Sequence, residues 1–228
     1  MANRTASRGT DQRRERRRPK VAAPTLREKL LLAKREEILR VAAELFYENG
    51  YAQTSMDEIA SQLGIGKPSI YALFESKTDL LSEVCNRTTR YAATIAGEAA
   101  ARSGAPSARL RHIVEQLCLR VIEGRRHLSV LFRDYKHLPP EATRNLAGNF
   151  HAFNRSLGAL LREGVEAGEF TVQDAVVVTH AISGMGTWIY AWYRPEGVLS
   201  PEEISSQMAD LALKMVKMGG DPNPAVPE

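Results

Sequence analysis

Apolar residues recur at intervals of three and four positions along almost the whole chain, and this spacing constrains the fold most strongly. We find no convincing run of alternating apolar and polar residues, which is the pattern of a half-buried strand. Helix starts are indicated where a capping residue precedes an acidic residue by three positions. Such pairs are Thr25 with Glu28, Thr54 with Asp57, Ser76 with Asp79, Thr171 with Asp174, and Ser200 with Glu203. The sequence therefore predicts an all-α protein of about nine helices.

The chain shows no catalytic or metal-binding motif, so the sequence does not favour an enzymatic function. Cys85 and Cys118 lie in apolar helical segments without a CxxC pair, so we expect neither a disulfide framework nor a zinc site. His112, His127, His137 and His151 are scattered along the chain. A metal site would need several helices to bring them together. We therefore expect no metal, no cofactor and no catalytic residues, although a helical enzyme could assemble its site through tertiary proximity.

Positive charge is concentrated at the N-terminus, where residues 1–20 carry eight basic and two acidic side chains. Such a segment can attract nucleic acid by releasing counterions, and the alternative is a solvated tail. We expect residues 1–24 to be a disordered basic arm and residues 219–228 a flexible tail. With no apolar secretory segment, the sequence favours a cytoplasmic protein.

One span has the length of a membrane helix, since residues 175–193 contain no Asp, Glu, Lys or Arg. Its Thr, Ser, Gly and His residues argue against a membrane location. We therefore expect a helix buried on most of its faces inside protein, and no membrane partner.

A pattern near the N-terminus predicts a nucleic-acid-binding unit. A long helix over residues 26–48 carries one apolar stripe, and two short helices over residues 55–63 and 67–74 follow it. The break between the short helices is Gly64-Ile65-Gly66. Two short helices joined by a tight glycine-containing turn are typical of a helix-turn-helix, whose second helix enters the DNA major groove.

The second short helix carries residues suited to DNA. Lys67 stands at its N-terminus, where backbone N–H groups also attract phosphate, and Pro68 stiffens the first turn. Ser69 is small and polar enough to reach base edges, and the Tyr71 hydroxyl suits a phosphate oxygen. The alternatives are a solvated lysine and a core tyrosine with an exposed hydroxyl.

Residues 50–60 and 64–77 resemble the TetR family of transcriptional regulators, within a motif that covers about 45 residues of the chain. The resemblance implies a homodimeric, all-helical repressor that binds a palindromic operator in double-stranded DNA and is released by a small effector. It implies a DNA-binding domain over residues 25–77 and an effector-binding and dimerisation domain over residues 78–218. The DNA-binding residues it implies are Thr54, Lys67, Tyr71 and Lys77 on phosphates, Ser55 beside them in the Thr-Ser cap, and Pro68, Ser69 and Leu73 facing bases. Leu73 departs from the polar or histidine residue often found there, so we expect an apolar contact with a thymine methyl.

The C-terminal half is expected to form the dimer through helices over residues 172–193 and 201–218. The alternative is that these helices only cover the core of one subunit. The predicted dimer contacts are Val177, Ala181, Gly184, Trp188, Leu211 and Met215.

The aromatic segment over residues 188–204 resembles TetR-type repressors of lipid and steroid breakdown, which commonly respond to acyl-CoA thioesters. The resemblance implies an apolar tunnel with a basic mouth. The predicted wall residues are Leu117, Phe132, Tyr135, Phe150, Phe153 and Trp188, with Arg155 or Arg162 for phosphate or carboxylate. The alternatives are a regulator of efflux that binds uncharged drug-like compounds, a helical acyl-CoA enzyme, and an architectural DNA binder that relies on the basic arm.

Overall fold

The computed structural model describes residues 25–217, and every regular element in that range is a helix. The all-α prediction is confirmed, as is the count of about nine, because α9 is a single turn that continues α8. The predicted basic arm (1–24) and C-terminal tail (219–228) lie outside the described residues. The helices are α1 (Leu26–Asn49), α2 (Met56–Leu63), α3 (Lys67–Tyr71), α4 (Lys77–Ala101), α5 (Pro106–Glu123), α6 (Arg125–Asp134), α7 (Pro140–Glu166), α8 (Ala175–Thr187), α9 (Ile189–Trp192) and α10 (Pro201–Met215), with a 3-10 turn at Tyr135–His137.

Three helices begin at the predicted caps. Thr25 and Ser200 each form a capping box, in which the hydroxyl accepts from the backbone N–H of Glu28 or Glu203 and that glutamate accepts from the cap N–H. The Ser76 hydroxyl accepts from the backbone N–H at the third position of α4. Each cap satisfies backbone donors that the first turn leaves unpaired.

Two caps were predicted at the wrong residue. The cap of α2 is Ser55, which forms a capping box with Glu58, because the Thr54 hydroxyl is turned inward. The cap of α8 is Asp174 itself, whose carboxylate accepts from two backbone N–H groups of the first turn, so the helix starts at Ala175, three residues later than predicted. In both places the true cap was adjacent to or within the predicted pair.

The helix-turn-helix packs against the apolar stripe of α1. Ile38 and Phe46 on α1 are fully buried together with Ile59 of α2 and Ile70 of α3. Gly64 ends α2 in the left-handed region, with φ of +63°, a conformation that residues with a Cβ adopt at a cost. The turn residue therefore sets the angle at which α3 leaves the core.

The remaining helices form the second domain around α4, which runs from the helix-turn-helix into the bundle. Helices α5 and α7 pack on α4, and α10 packs on α5. The bundle is tight where α7 ends, because a Cβ on Gly164 would overlap the ring of Phe170. Cys85 and Cys118 are free and buried, and burial raises the pKa of each thiol to about 12.

The apolar span over residues 175–193 differs from its prediction in two ways. It is a helix of 13 residues followed by the single turn α9, rather than one continuous helix. Thr179, Ile182 and Gly186 are the buried positions of α8, and the opposite face is exposed. The expected burial on most faces is therefore wrong for the single subunit. Within residues 25–217, none of the helices combines the length and hydrophobicity needed to cross a membrane.

Candidate DNA interface and effector cavity

Helix α3 presents a mixed polar face to solvent. Its N-cap is Gly66, and proline occupies the first turn, where a missing backbone N–H is harmless. Ile70 is fully buried, whereas Pro68 and Tyr71 are exposed, Tyr71 by 46%, and Ser69 is half-buried. The predicted phosphate and base contacts at these three positions are sterically available.

Lys67 has a partner within the protein. Its Nζ lies 2.8 Å from Oδ2 of Asp57 on α2, and both side chains reach solvent. The hydrogen bond to Asp57 is the largest cause of the raised pKa of Lys67. To contact a phosphate, the Lys67 ammonium must either leave the Asp57 carboxylate or donate one proton to the phosphate while another stays on Asp57.

Thr54 and Lys77, two of the predicted phosphate contacts, make hydrogen bonds within the protein. Thr54 is 1% exposed, and its hydroxyl lies 3.1 Å from the carbonyl oxygen of Leu45 and 2.9 Å from that of Gly50. Lys77 Nζ donates to the carbonyls of Ala52 (3.3 Å) and Thr54 (2.7 Å). Both side chains hold the loop between α1 and α2, because they donate to carbonyl oxygens at the end of α1 and within the loop.

Ser55 and Leu73 are only partly available to DNA. The Ser55 hydroxyl is the cap of α2, and its residue is half-buried. Leu73 is also half-buried and packs against the core, while its carbonyl accepts from Arg35 at 2.8 Å. A thymine contact by Leu73 would use only the exposed edge of the side chain.

Helix α6 connects the two domains through two arginines that sequence reasoning missed. Arg126 Nη1 lies 3.0 Å from Oε1 of Glu44 on α1. Arg133 donates to the carbonyls of Phe46 and, at 2.9 Å, Tyr47, in the last turn of α1. The last turn of α1 has no basic residue of its own, so α6 supplies the positive charge that its carbonyls favour.

A cavity of about 310 Å³ lies between α4, α5, α6, α7 and α8. Four predicted wall residues line it, which are Leu117, Phe132, Phe150 and Phe153. The apolar wall is interrupted by hydroxyl and amide side chains from three helices. These are Thr88, Thr89, Asn149, Asn154, Ser183 and Thr187.

A smaller cleft of about 250 Å³ adjoins the cavity. Arg155 and Arg162, the predicted anion partners, both line it, so the structure places them outside the cavity walls but beside them. The cleft and the cavity share Asn154 and His180. The Asn154 Oδ1 accepts from the Ser183 hydroxyl at 2.7 Å, which leaves the amide N–H groups of Asn154 for another partner.

Two predicted wall residues are absent from the cavity lining. Tyr135 belongs to the 3-10 turn after α6 and is half exposed. Trp188 is 62% exposed and meets Tyr190 edge to face, with ring centroids 5.9 Å apart. Tyr190 in turn stacks on Phe132 at 5.0 Å, so the aromatic segment covers the outer side of a wall residue instead of forming the wall.

Most of the predicted dimer residues on α8 and α10 are accessible in the single subunit. Val177 is 63% exposed, Trp188, Gly184 and Leu211 are also exposed, and Ala181 is half-buried. Helices α8 and α10 are in contact, and the half-buried Met215 borders the same depression as Val177. Exposed apolar side chains that share a surface commonly mark an interface.

His127 lies at the junction of the domains and is half-buried, with both ring nitrogens inaccessible to solvent. It lines a groove with residues of α1, α4 and α5, and neither ring nitrogen has a hydrogen-bond partner within residues 25–217. Burial, and secondarily the charge of Arg87, lowers the pKa of His127 to about 4, while Glu36 and Glu44 oppose the shift. The imidazole is therefore neutral in the folded protein at physiological pH.

Two family models match the sequence. The model described as "Bacterial regulatory proteins, tetR family" matches residues 38–84, which contain the helix-turn-helix. The model described as "Tetracyclin repressor-like, C-terminal domain" matches residues 103–216, which is half of the chain.

Individual relatives agree with these matches. The HTH-type transcriptional repressor KstR2 of Mycolicibacterium smegmatis is 26% identical over 184 residues, which is 79% of this chain and 89% of the relative. The crystal structure of the TetR family regulator PfmR from Thermus thermophilus has a TM-score of 0.71 at 29% identity, over 79% of this chain and 98% of that one. The crystal structure of AibR in complex with isovaleryl coenzyme A and operator DNA has a TM-score of 0.66 at 25% identity, over 80% and 97% of the two chains.

Proposed function

The chain belongs to the TetR family of bacterial transcriptional regulators, and from that premise we propose that it is a homodimeric repressor released from a palindromic operator by an acyl-CoA thioester. The observation that carries the proposal is the apolar cavity joined to an arginine-lined cleft at Asn154 and His180. An acyl-CoA has the matching chemistry, with an apolar acyl group at one end and phosphates at the other.

In this proposal each of the two compartments holds one part of the ligand. The acyl group would lie in the cavity against Leu117 and Phe153, where burial of apolar surface is favourable. The thioester would lie at Asn154, whose amide N–H groups can donate to its carbonyl. Arg155 and Arg162 would meet the phosphates, for which planar guanidinium groups are well suited. AibR, which has been crystallised with isovaleryl-CoA and operator DNA, offers a precedent within the fold.

DNA binding would use the exposed face of α3. Tyr71 and Lys67 would contact phosphates, while Pro68 and Ser69 would face base edges in the major groove. Dimerisation through α8 and α10 would set the two recognition helices about one DNA turn apart, roughly 34–36 Å. The palindromic operator follows from the two-fold symmetry of such a dimer.

Release requires that the ligand bind one arrangement of the dimer better than the other. Helix α6 supports such a coupling, because Phe132 lines the cavity while Arg133 holds the carbonyls at the end of α1. A ligand that displaces Phe132 would shift the position of α1 and with it the helix-turn-helix.

The proposal is tested by fluorescence anisotropy on an operator isolated by selection from random duplex DNA. Hexanoyl-CoA should release the labelled operator, whereas free CoA and hexanoate, which each fill one compartment, should release it far less. Replacing both arginines (Arg155→Ala with Arg162→Ala) should raise the hexanoyl-CoA concentration needed by about a hundredfold, because two charge-assisted contacts are lost.

The matched control is Arg144→Ala, an exposed arginine on the same helix α7 that lines neither compartment. It should release operator at the wild-type concentration. Release by an uncharged apolar compound but by no acyl-CoA would replace this proposal with the efflux-type regulator. Turnover of the thioester by the protein would instead indicate the enzyme alternative.

A further inference from the structure

One end of the cavity carries polar groups with unused hydrogen-bonding capacity. Asn149 donates through Nδ2 to the Thr89 hydroxyl at 3.2 Å, which fixes the orientation of the amide. The Asn149 Oδ1 has no hydrogen-bond partner among residues 25–217, and neither has the hydroxyl of Thr187, which also lines the cavity. An apolar ligand in contact with these atoms would desolvate them without replacing their hydrogen bonds.

The polar groups lie at the end of the cavity away from the basic cleft. Along α7, Asn149 precedes Asn154 by five residues, or about 7.5 Å of helix rise, whereas Arg155 and Arg162 follow it. A thioester carbonyl at Asn154 with its phosphates toward the arginines therefore directs the far end of the acyl group toward Asn149.

Thr187 reaches the same end from the opposite helix. Helices α7 and α8 run antiparallel, because Ser183 bonds to Asn154 at 2.7 Å and the earlier residue Thr179 lies beside the later residue Gly158. One turn beyond Ser183, Thr187 is brought level with Asn149. An acceptor on α7 and a hydroxyl on α8 thus face the same part of the cavity.

We propose that the effector's acyl group is short and carries a hydroxyl at the end remote from the thioester. This inference rests on the proposed function, in which an acyl-CoA binds here. A hydroxyl can donate to Asn149 Oδ1 and accept from the Thr187 hydroxyl, whereas a ketone can only accept. The cavity volume of about 310 Å³ suits a short acyl group.

The test compares two ligands by isothermal titration on the full-length dimer. In ω-hydroxyhexanoyl-CoA the distance from the thioester carbonyl to the hydroxyl suits the spacing of Asn154 and Asn149. Hexanoyl-CoA lacks this hydroxyl. The wild-type protein should bind the hydroxylated ligand about tenfold more tightly, because the unsubstituted chain would cover the Asn149 acceptor without pairing it. A ketone at the end of the chain should give a smaller gain.

Three variants assign the preference to these atoms. Thr187→Val keeps the side-chain shape and should reduce the preference severalfold, and Asn149→Leu should abolish or reverse it. Asn145→Leu, on an exposed position of the same helix one turn away, should keep it. Because Asn149 also supports Thr89, thermal unfolding of each variant is measured, and Thr187→Val gives the result that does not depend on that support.

The outcomes separate this inference from the one it rests on. If both ligands bind the wild-type protein equally tightly and release operator, the hydroxyl assignment is wrong while the acyl-CoA proposal stands. If Thr187→Val and Asn149→Leu weaken both ligands by the same factor, these residues only shape the cavity and the inference fails. If no acyl-CoA binds at all, the proposed function fails and the inference fails with it.

Discussion

At the DNA-binding end of the molecule, the residues proposed to meet DNA come from a short stretch between α2 and the start of α4, and a single helix-turn-helix positions them. The effector cavity, in contrast, draws its walls from residues between Thr88 and Thr187 on five helices. Local capping and turn chemistry is sufficient for the first region. The second exists only when the whole bundle has assembled, so ligand specificity can change without altering the DNA-binding unit.

The largest expected effect is the loss of the dimer, which pairs the two DNA-binding ends. Val177→Glu should convert the protein to a monomer, because two unpaired carboxylates in an apolar interface cost on the order of 5 kcal/mol or more. Val177 is exposed in the single subunit, so each monomer should still fold and bind effector. The variant should lose operator affinity because it loses the paired recognition helices.

Sedimentation velocity and operator anisotropy check this prediction, with Val165→Glu on α7 as the matched exposed control. A wild-type protein that is monomeric at micromolar concentration yet binds a palindrome would contradict the assigned interface.

The next effect concerns the junction between the regions and depends on pH. The pKa of His127 is lowered to about 4 in the folded protein, compared with 6.5 for the free side chain. As pH falls from about 6.5 toward 4, the unfolded chain binds a proton that the folded chain does not, so the free energy of unfolding decreases. The lost stability should reach about 2 to 3 kcal/mol at pH 4.

Urea unfolding at a series of pH values measures this loss for wild type and for His127→Leu. Between neutral pH and pH 4, the loss of stability of the variant should be smaller than that of the wild type by about 2 to 3 kcal/mol, since the other titrating groups are the same. Parallel pH profiles for the two proteins would show that burial of His127 does not contribute.

A smaller effect should be confined to the DNA-binding end. Lys67→Ala should lower affinity for operator and for random duplex by about tenfold, because it removes a charge-assisted phosphate contact without affecting base readout. The slope of log affinity against log salt should shrink by about one unit. Effector affinity of the free dimer should not change.

Asp57→Asn provides a complementary test on the same ion pair, because it releases Lys67 from its carboxylate and should strengthen operator binding. An unchanged salt slope for Lys67→Ala would remove this residue from the interface.

The smallest predicted effect is on communication between the regions. Arg133→Gln removes the guanidinium from the carbonyls of Phe46 and Tyr47. It should reduce the coupling between effector and operator by about 1 kcal/mol, or about fivefold. Arg133→Lys should restore part of the coupling, whereas equal coupling in all three proteins would exclude this contact from signal transmission.

The sequence predicted the DNA-binding end more accurately than the cavity, for a physical reason. The turn at Gly64 and the start of α3 at Lys67 follow from local backbone preferences, which the sequence displays directly. Even there, the sequence did not show that the Thr54 hydroxyl and the Lys77 ammonium donate to backbone carbonyls of the loop between α1 and α2. The position of a residue in a motif does not show whether its side chain forms hydrogen bonds inside the folded domain.

For the cavity, composition identified aromatic residues but not which side of a helix they occupy. Phe132 and Phe153 line the cavity as predicted, whereas Trp188, the C-cap of α8, is exposed and lies outside it. Asn149 and Asn154 were missed altogether. Their only signal was the presence of amides five positions apart in a long amphipathic helix, a spacing that gains meaning when α8 packs against them.

The central claim is that effector binding in the cavity weakens DNA binding. It is tested most directly by measuring effector affinity with and without operator. Isothermal titration of hexanoyl-CoA into the free dimer and into the dimer saturated with operator gives both values. We predict that hexanoyl-CoA binds the operator complex at least about tenfold more weakly than the free dimer. Linkage requires this, because operator must weaken effector binding by the same factor by which effector weakens operator binding. Equal affinities in the two titrations would contradict it.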